Sequence, residues 1–499
     1  MLTLGTQDLS QRLPLQLNVL TLHNVGKRLK IAVDLTPMLP GGENGGVKFA
    51  ILELLRGLKS NFGDRVTFLF LSANDTAEET RSLQGADDAV VCILRRRRDP
   101  WGRVIQAVEL ATRARLAVRR LKRRHQIDLL YCPFGGASFA SANTPTVALV
   151  TDLLHRDFPF SLSAQDQEWR ELNFRKLASY ADYYQVISEF TGQRLQSLYK
   201  IPAQQIFRTY LPIQRRLAAG PAALQAQEGE PVHPEKEQLE AYSSIGILPV
   251  GQSSSRVARS SKIYRLEAYA TFSSLDAKPF FFYPANFWAH KNHEVLLIAY
   301  QLYVAGAGDR AWDLVLTGHR EERARYLQRV AQDLDILPRV QFLGHVPEAT
   351  LADLYSTASC LVFPSLYEGF GIPILEAMSF GLPIVCSREA SIPEIAGEAA
   401  LYADARNPLE LASALQRMTQ DENLRNSLVE LGRIQMSKFD FSAEVARLAD
   451  TLFAAASGNL DRTKRYPVLQ NLVSEGTYFG RALARQAVEA VVKLGSLTK

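Results

Sequence analysis

Two successive runs of alternating strand-like and helix-like segments, separated by a long polar stretch, constrain this chain more than any other feature. In the first run, from Leu29 onward, the strand candidates are KIAVDL, VTFLFLS, AVVCIL, DLLYCPF, TVALVTD and YYQVIS. Each is a short, nearly continuous apolar run, as expected of a strand covered on both faces. The helical stretches between them supply the crossovers of a parallel sheet. The pattern restarts at FFFYPA and continues through DLVLTG, VQFLG, CLVFPS, PIVCS and ALYAD. At 499 residues the chain also exceeds what one core organises, so two doubly wound α/β domains are expected.

The boundaries follow from where the pattern fails. Residues 1–28 form an N-terminal extension, 29–213 a first doubly wound domain and 279–457 a second. Between the domains, residues 214–278 contain EGEPVHPEKEQ and GQSSSRVARSSK, polar and without sustained period, and read as a flexible insertion. After SGNLDRTKRYP a C-terminal tail, 458–499, carries one helical stretch, Phe479 to Leu494.

With 47% hydrophobic and 22% charged residues the chain falls among ordinary globular proteins. No signal peptide and no membrane-spanning run are read, so a cytoplasmic location is expected. Cys92, Cys132, Cys360 and Cys386 each lie in an apolar run without metal-ligand spacing and are expected to be core thiols. The net charge of +5 conceals a local excess: residues 95–128 hold 12 Lys/Arg against 3 acids. Asp99-Pro100 opens a helix there, with Trp101, Val104, Ile105 and Val108 at helical spacing. Its basic face is either simply solvated or attaches to an anionic substrate or to anionic lipid, as a peripheral contact at the inner membrane face. Nucleic acid is not expected, because no binding motif accompanies the charge.

The most specific motif is EGFGIPILEAMSFGLP, directly after the strand CLVFPS. Pro373 suits a first helical turn, Gly381 the C-cap and Pro383 the stop, which places Gly369, Phe370 and Gly371 at a helix N-terminus where outward amides bind anions. Glu368 then lies in the loop and Glu376 in the first turn, two carboxylates able to grip sugar and ribose hydroxyls. A second constellation, PANFWAHKNHEVLL, follows the first strand of the same domain and puts Lys291 where a cation stabilises a departing diphosphate.

These residues resemble the glycosyltransferases group 1, glycosyltransferase family 4, from the Leu29 strand to about Ala456 without the insertion. The resemblance implies a GT-B fold, two Rossmann-like domains facing across a cleft, with 29–213 on the acceptor side and 279–457 holding a nucleotide-sugar donor. By the same resemblance Glu368 and the following backbone hold the donor sugar, Glu376 takes the ribose hydroxyls and Lys291 contacts the diphosphate. Gly318, at the end of DLVLTG, and Asn286, in PANFWAHK, join the donor-binding set. The family usually has an arginine five residues before the lysine, but Asn286 stands there. In the first domain PGGENGGVKF resembles the glycine-rich N-terminal loop, with Gly45, Gly46 and Lys48 as candidates for close approach to the donor.

TVALVTDLLHRDFP reads as a strand ending at a loop with Asp152, His155 and Asp157. Related enzymes carry His-Asp at this strand end. Thr151 holds the histidine position here, Asp152 matches, and His155 is the candidate to serve instead. The implied reaction moves a hexose from a UDP- or GDP-sugar to a hydroxyl of a glycan or lipid-linked acceptor, with retention. It needs no metal and no cofactor, and Asp333 and Asp335 read as helix surface. The catalytic candidates are thus Asp152, His155, Glu368 and Lys291. The rival expectation, motivated by Asn286 and Thr151, is a catalytically weak nucleotide-sugar-binding or scaffold protein of the same fold.

Overall fold

The computed structural model describes residues 28–40, 45–94, 120–121, 123–137, 139–140, 144–212, 278–319 and 321–457. The N-terminal extension, most of the basic segment, the insertion and the C-terminal tail lie outside the described residues, as do positions 41–44 of the glycine-rich loop.

Two compact units emerge, residues 1–212 with 439–499 and residues 213–438. The first is built on a seven-stranded sheet of order β3-β2-β1-β4-β5-β6-β7. Its strands are β1 (Leu29–Asp34), β2 (Val66–Ala73), β3 (Ala89–Leu94), β4 (Leu129–Cys132), β5 (Thr146–Val150), β6 (Tyr183–Val186) and β7 (Ile206–Arg208). All six neighbouring pairs are parallel. The strand order reverses at β1, between β2 and β4, the usual location of a ligand crevice in such a sheet. Helix α1 (Gly46–Phe62) follows β1, α2 (Ala77–Arg81) follows β2, and α3 (Leu154–Asp157), α4 (Ala164–Tyr180) and α5 (Glu189–Tyr199) follow β5 and β6.

The second unit repeats the plan with six parallel strands ordered β10-β9-β8-β11-β12-β13. These are β8 (Phe280–Pro284), β9 (Asp313–Thr317), β10 (Val340–Gly344), β11 (Cys360–Phe363), β12 (Ile384–Cys386) and β13 (Leu401–Tyr402). The first four residues of β8, all four of β11 and all three of β12 are buried, which is why these strands read as unbroken apolar runs. The helices are α6 (His293–Ala307), α7 (Glu321–Asp333), α8 (Glu348–Thr357), α9 (Ile372–Ser379), α10 (Ile392–Ala396), α11 (Pro408–Gln420) and α12 (Glu422–Met436).

Three expectations change. The last described helix, α13 (Phe441–Ala456), belongs to the first unit and not to the second, because its Val445, Leu448 and Leu452 face are buried there against α1. Gly57 of α1 has no side chain to hold the two helices apart: a Cβ there would stand 2.7 Å from Phe441 Cζ and Val445 Cγ2. Cys92 is exposed on the edge strand β3, whereas Cys132, Cys360 and Cys386 are buried thiols. Lys48 is not available to a ligand. Fully buried on α1, its ammonium donates to Leu39 O at 2.8 Å and meets Glu79 Oε1 at 2.6 Å.

Candidate donor site

In the second unit the strand order reverses at β8, so the loops after β8 and β11 open onto one crevice at the carboxyl edge of the sheet. The loop after β8 is shaped by a 3-10 turn, Ala289–Lys291, and by Asn292, whose left-handed backbone (φ 62°) starts α6. Phe287, His290, Asn292 and His293 are buried and anchor the segment, leaving Lys291 to project from it. Its ammonium meets Glu368 Oε1, from the loop after β11, at 2.5 Å. Both side chains keep some solvent contact, 16% and 12%, so the ion pair is accessible rather than sealed.

Side chains that bond main-chain carbonyls fix the two loops. Tyr283 Oη donates to Lys291 O at 2.9 Å and lies 2.8 Å from Ser365 Oγ. Asn292 Nδ2 donates to Pro364 O at 3.2 Å and Ala405 O at 2.7 Å, tying three strand ends together. Burial first, then Lys291, Arg323 and His290, push His293 down to about 3, so its ring stays neutral between Tyr283 and Phe287. Lys291 is therefore not reinforced by a second cation from this histidine.

Gly371 is the N-cap of α9, with φ 111° and no side-chain cap bond. Glycine is needed for that conformation, and the turn Glu368–Gly371 brings main chain to the helix mouth, where partial positive charge collects. Phe370 is buried beneath the turn. Glu376 is the fifth residue of α9, past the first turn expected for it, and is 5% exposed, with Oε2 accepting from Tyr355 Oη of α8 at 2.6 Å. The two carboxylates thus occupy different surroundings, Glu368 beside a cation and Glu376 beside a phenol.

Asn286 does not stand in for the missing arginine. Its Oδ1 accepts from His319 N at 2.8 Å, a bond that knits the loop after β8 to the end of β9. Gly318 is required for the same junction. A Cβ there would fall 2.3 Å from Ala285 O and 2.8 Å from Asn286 Cα, and its φ is 152°.

The remaining candidates belong to the first unit. Gly45 caps α1 at φ 65° with open space around a would-be Cβ, and Gly46 is the first helical residue. Asp152 follows β5, its Oδ1 accepting from Leu154 N at 3.0 Å and facing Arg170 at 3.5 Å, while Thr151 Oγ1 donates to Oδ2 at 3.2 Å. His155 is not on a loop surface. It sits in α3, 7% exposed, with Nε2 3.1 Å from Tyr199 Oη and 3.3 Å from Glu171 Oε2. Burial works against the Glu171 carboxylate, but bonds from His155, Tyr199 and Arg175 outweigh it and hold the group down at about 2. Among the described residues no group of three or more His, Cys, Asp or Glu is placed to hold a metal ion, and no helix is long and apolar enough to cross a membrane.

Residues 270–435 match the family model of the glycosyl transferases group 1, and residues 44–214 match that of glycosyltransferase family 4. The chain belongs to the group 1, family 4 glycosyltransferases. Its fold is GT-B: the chain covers 100% of Anabaena HepE, solved in complex with UDP and glucose, at a TM-score of 0.58 and 16% identity over 86% of its own length. Among curated relatives, O-antigen chain mannosyltransferase B of Escherichia coli is 37% identical over 30% of this chain and 39% of its own length. O-antigen chain mannosyltransferase RfbU of Salmonella typhimurium is 32% identical over 27% and 36% respectively. The chain therefore matches less than half the length of these curated relatives.

Sequence reading missed Asn292, Tyr283, Ser365 and Tyr355. Only Asn292 left a usable signal, in the AHKNHE run; the others act through main-chain carbonyls or a single phenol, which no spacing reveals.

Proposed function

We propose that this protein is a retaining, metal-independent glycosyltransferase that moves a hexose from a UDP- or GDP-sugar to a hydroxyl of a glycan or lipid-linked acceptor in cell-surface polysaccharide synthesis. The observation that carries the proposal is the Lys291–Glu368 pair, 2.5 Å apart at the switch point of the second sheet and beside the glycine turn that opens α9. A sugar diphosphate offers a partner to each member of that set. Its phosphates take the ammonium and the helix-mouth amides, and its sugar hydroxyls give Glu368 donors. Glu376 takes the ribose hydroxyls alongside the phenol of Tyr355.

As the glycosidic bond breaks, negative charge grows on the leaving phosphate, and a fixed cation in a partly dry crevice stabilises it better than water does. With Asn286 in place of an arginine, that stabilisation falls on Lys291 and the amides. The acceptor attacks from the face the diphosphate leaves, the leaving oxygen taking the acceptor proton, and Asp152 lies on the acceptor side. The curated mannosyltransferases support a surface-polysaccharide acceptor, and HepE with UDP supports a uridine donor. The basic segment 95–128 would hold the protein to an anionic membrane bearing a lipid-linked acceptor.

The test is a screen of UDP- and GDP-sugars for thermal stabilisation, followed by nucleoside diphosphate release with acceptor and by the anomeric configuration of the product. Lys291→Ala is expected to lower turnover about 100-fold or more. Glu376→Gln is expected to weaken donor binding with the fold intact; unchanged affinity removes the ribose assignment. The second reading, a nucleotide-sugar binder without turnover, rests on Asn286 and Thr151, and binding without diphosphate release would favour it.

A further inference from the structure

The ring of Tyr355, in α8, is held from two sides. It stacks on Phe380, the residue that follows α9, at 5.4 Å between centroids and 11°, and meets Phe282 of β8 edge-on at 5.2 Å and 83°. Only 1% of the residue is exposed. For that packing phenylalanine would serve as well, since both contacts are made by the ring. The hydroxyl is the part that needs a reason, because burying one costs free energy unless it is bonded.

Its bond goes to Glu376 Oε2, at 2.6 Å. That length belongs to the short, strong class in which a hydroxyl donates to a carboxylate. Burial first, then the Glu376 carboxylate, push the phenol well above its ordinary value, so the group keeps its proton and serves as the donor. The two aromatic contacts fix where that proton points. A glutamate side chain is rich in rotamers, and α8 thus lends it a rigid reference that its own torsions do not supply. A carboxylate carries about four lone-pair sites on its two oxygens, so accepting from the phenol is compatible with accepting from the neighbouring hydroxyls of a ribose at the same time.

We propose that Tyr355 is a positioning residue: its hydroxyl holds the Glu376 carboxylate in the orientation that receives the 2′- and 3′-hydroxyls of the donor's ribose. The proposal rests on the reading of Glu376 as the ribose acid and adds how that acid is aimed. Two adjacent hydroxyls on one carboxylate make a two-point contact, which depends on the plane of the carboxylate as well as on its position. Because Tyr355 acts through Glu376, its hydroxyl matters only to a ligand that has both ribose hydroxyls to offer.

The experiment compares wild type and Tyr355→Phe as full chains, with UDP, GDP and their 2′,3′-dideoxy forms as probes. For whichever nucleotide wild type binds, the dideoxy form is expected to bind about tenfold more weakly. Tyr355→Phe is expected to raise Kd for the ribose form about fivefold and to leave Kd for the dideoxy form within about twofold, so that discrimination nearly disappears. In a Glu376→Ala background, which leaves the phenol no carboxylate to aim, the same substitution is expected to change the ribose Kd by less than about twofold. Equal losses for both forms, which a packing role alone would give, overturn the proposal. So does full discrimination retained in Tyr355→Phe, even with a lowered Tm, or a loss that persists in the alanine background. A wild type that binds neither nucleotide, or binds both forms alike, ends the ribose reading of Glu376 and the proposal with it.

Discussion

Asp34 ends β1 with its two carboxylate oxygens in unequal positions. Oδ1 accepts from Thr36 N and Thr36 Oγ1, while Oδ2 is buried with no hydrogen-bond partner among the described residues. Burial lifts the group to about 6, the Thr36 bonds only partly opposing it. A raised carboxyl contributes stability that is complete below its unfolded value near 3.8 and is lost as pH rises through about 6. Relative to Asp34→Asn, the wild type is expected to lose about 2 kcal/mol between pH 4 and pH 7 in urea unfolding. Parallel curves for the two proteins would contradict this. Ala390 provides a second measurement: Ala390→Gly relieves its left-handed strain and is expected to raise stability by about 0.5–1 kcal/mol, read from the denaturation midpoint. At this scale the sequence was least legible. Lys48 and His155 both sit next to plausible sites along the chain, yet Glu79 claims the first and Glu171 with Tyr199 the second, partners 31 and 16 residues or more away.

The contact between α1 and α13 shows which force governs an element boundary. On propensity alone Gly57→Ala inside α1 gains up to about 1 kcal/mol. The Cβ at 2.7 Å from Phe441 and Val445 costs about 1–3 kcal/mol by overpacking, so the variant is expected to be net destabilised, with a lower Tm. An unchanged or higher Tm would mean that the two helices part easily. Elements themselves were well marked: all twelve strands expected from the apolar runs form, because strands covered on both faces leave an unambiguous composition. The strand that escaped notice is β7, Ile206–Arg208, three half-buried residues at the sheet edge with no apolar run to announce them. The residues Glu368, Gly369, Phe370, Gly371 and Lys291 were legible for a related reason. Strand ends at a reversal of strand order are fixed by topology, so a motif placed after the right strand falls at the crevice.

At the scale of the whole molecule, the periodic pattern gave the number of units but not the membership of α13, since a helix's apolar stripe does not say which sheet it covers. Truncation after Lys438 is expected to strip the α1 face bare and to destabilise the first unit while leaving the second folded, which protease digestion of the truncated chain would resolve into a surviving fragment near residues 278–438. Survival of the first unit instead would mean that α13 adds little. Because α13 is made only after every strand of the second sheet, the first unit cannot finish its core while the ribosome is still on the intervening stretch. The domain begun first is completed last, and during synthesis its uncovered α1 surface must wait, within reach of chaperones, for α13 to arrive.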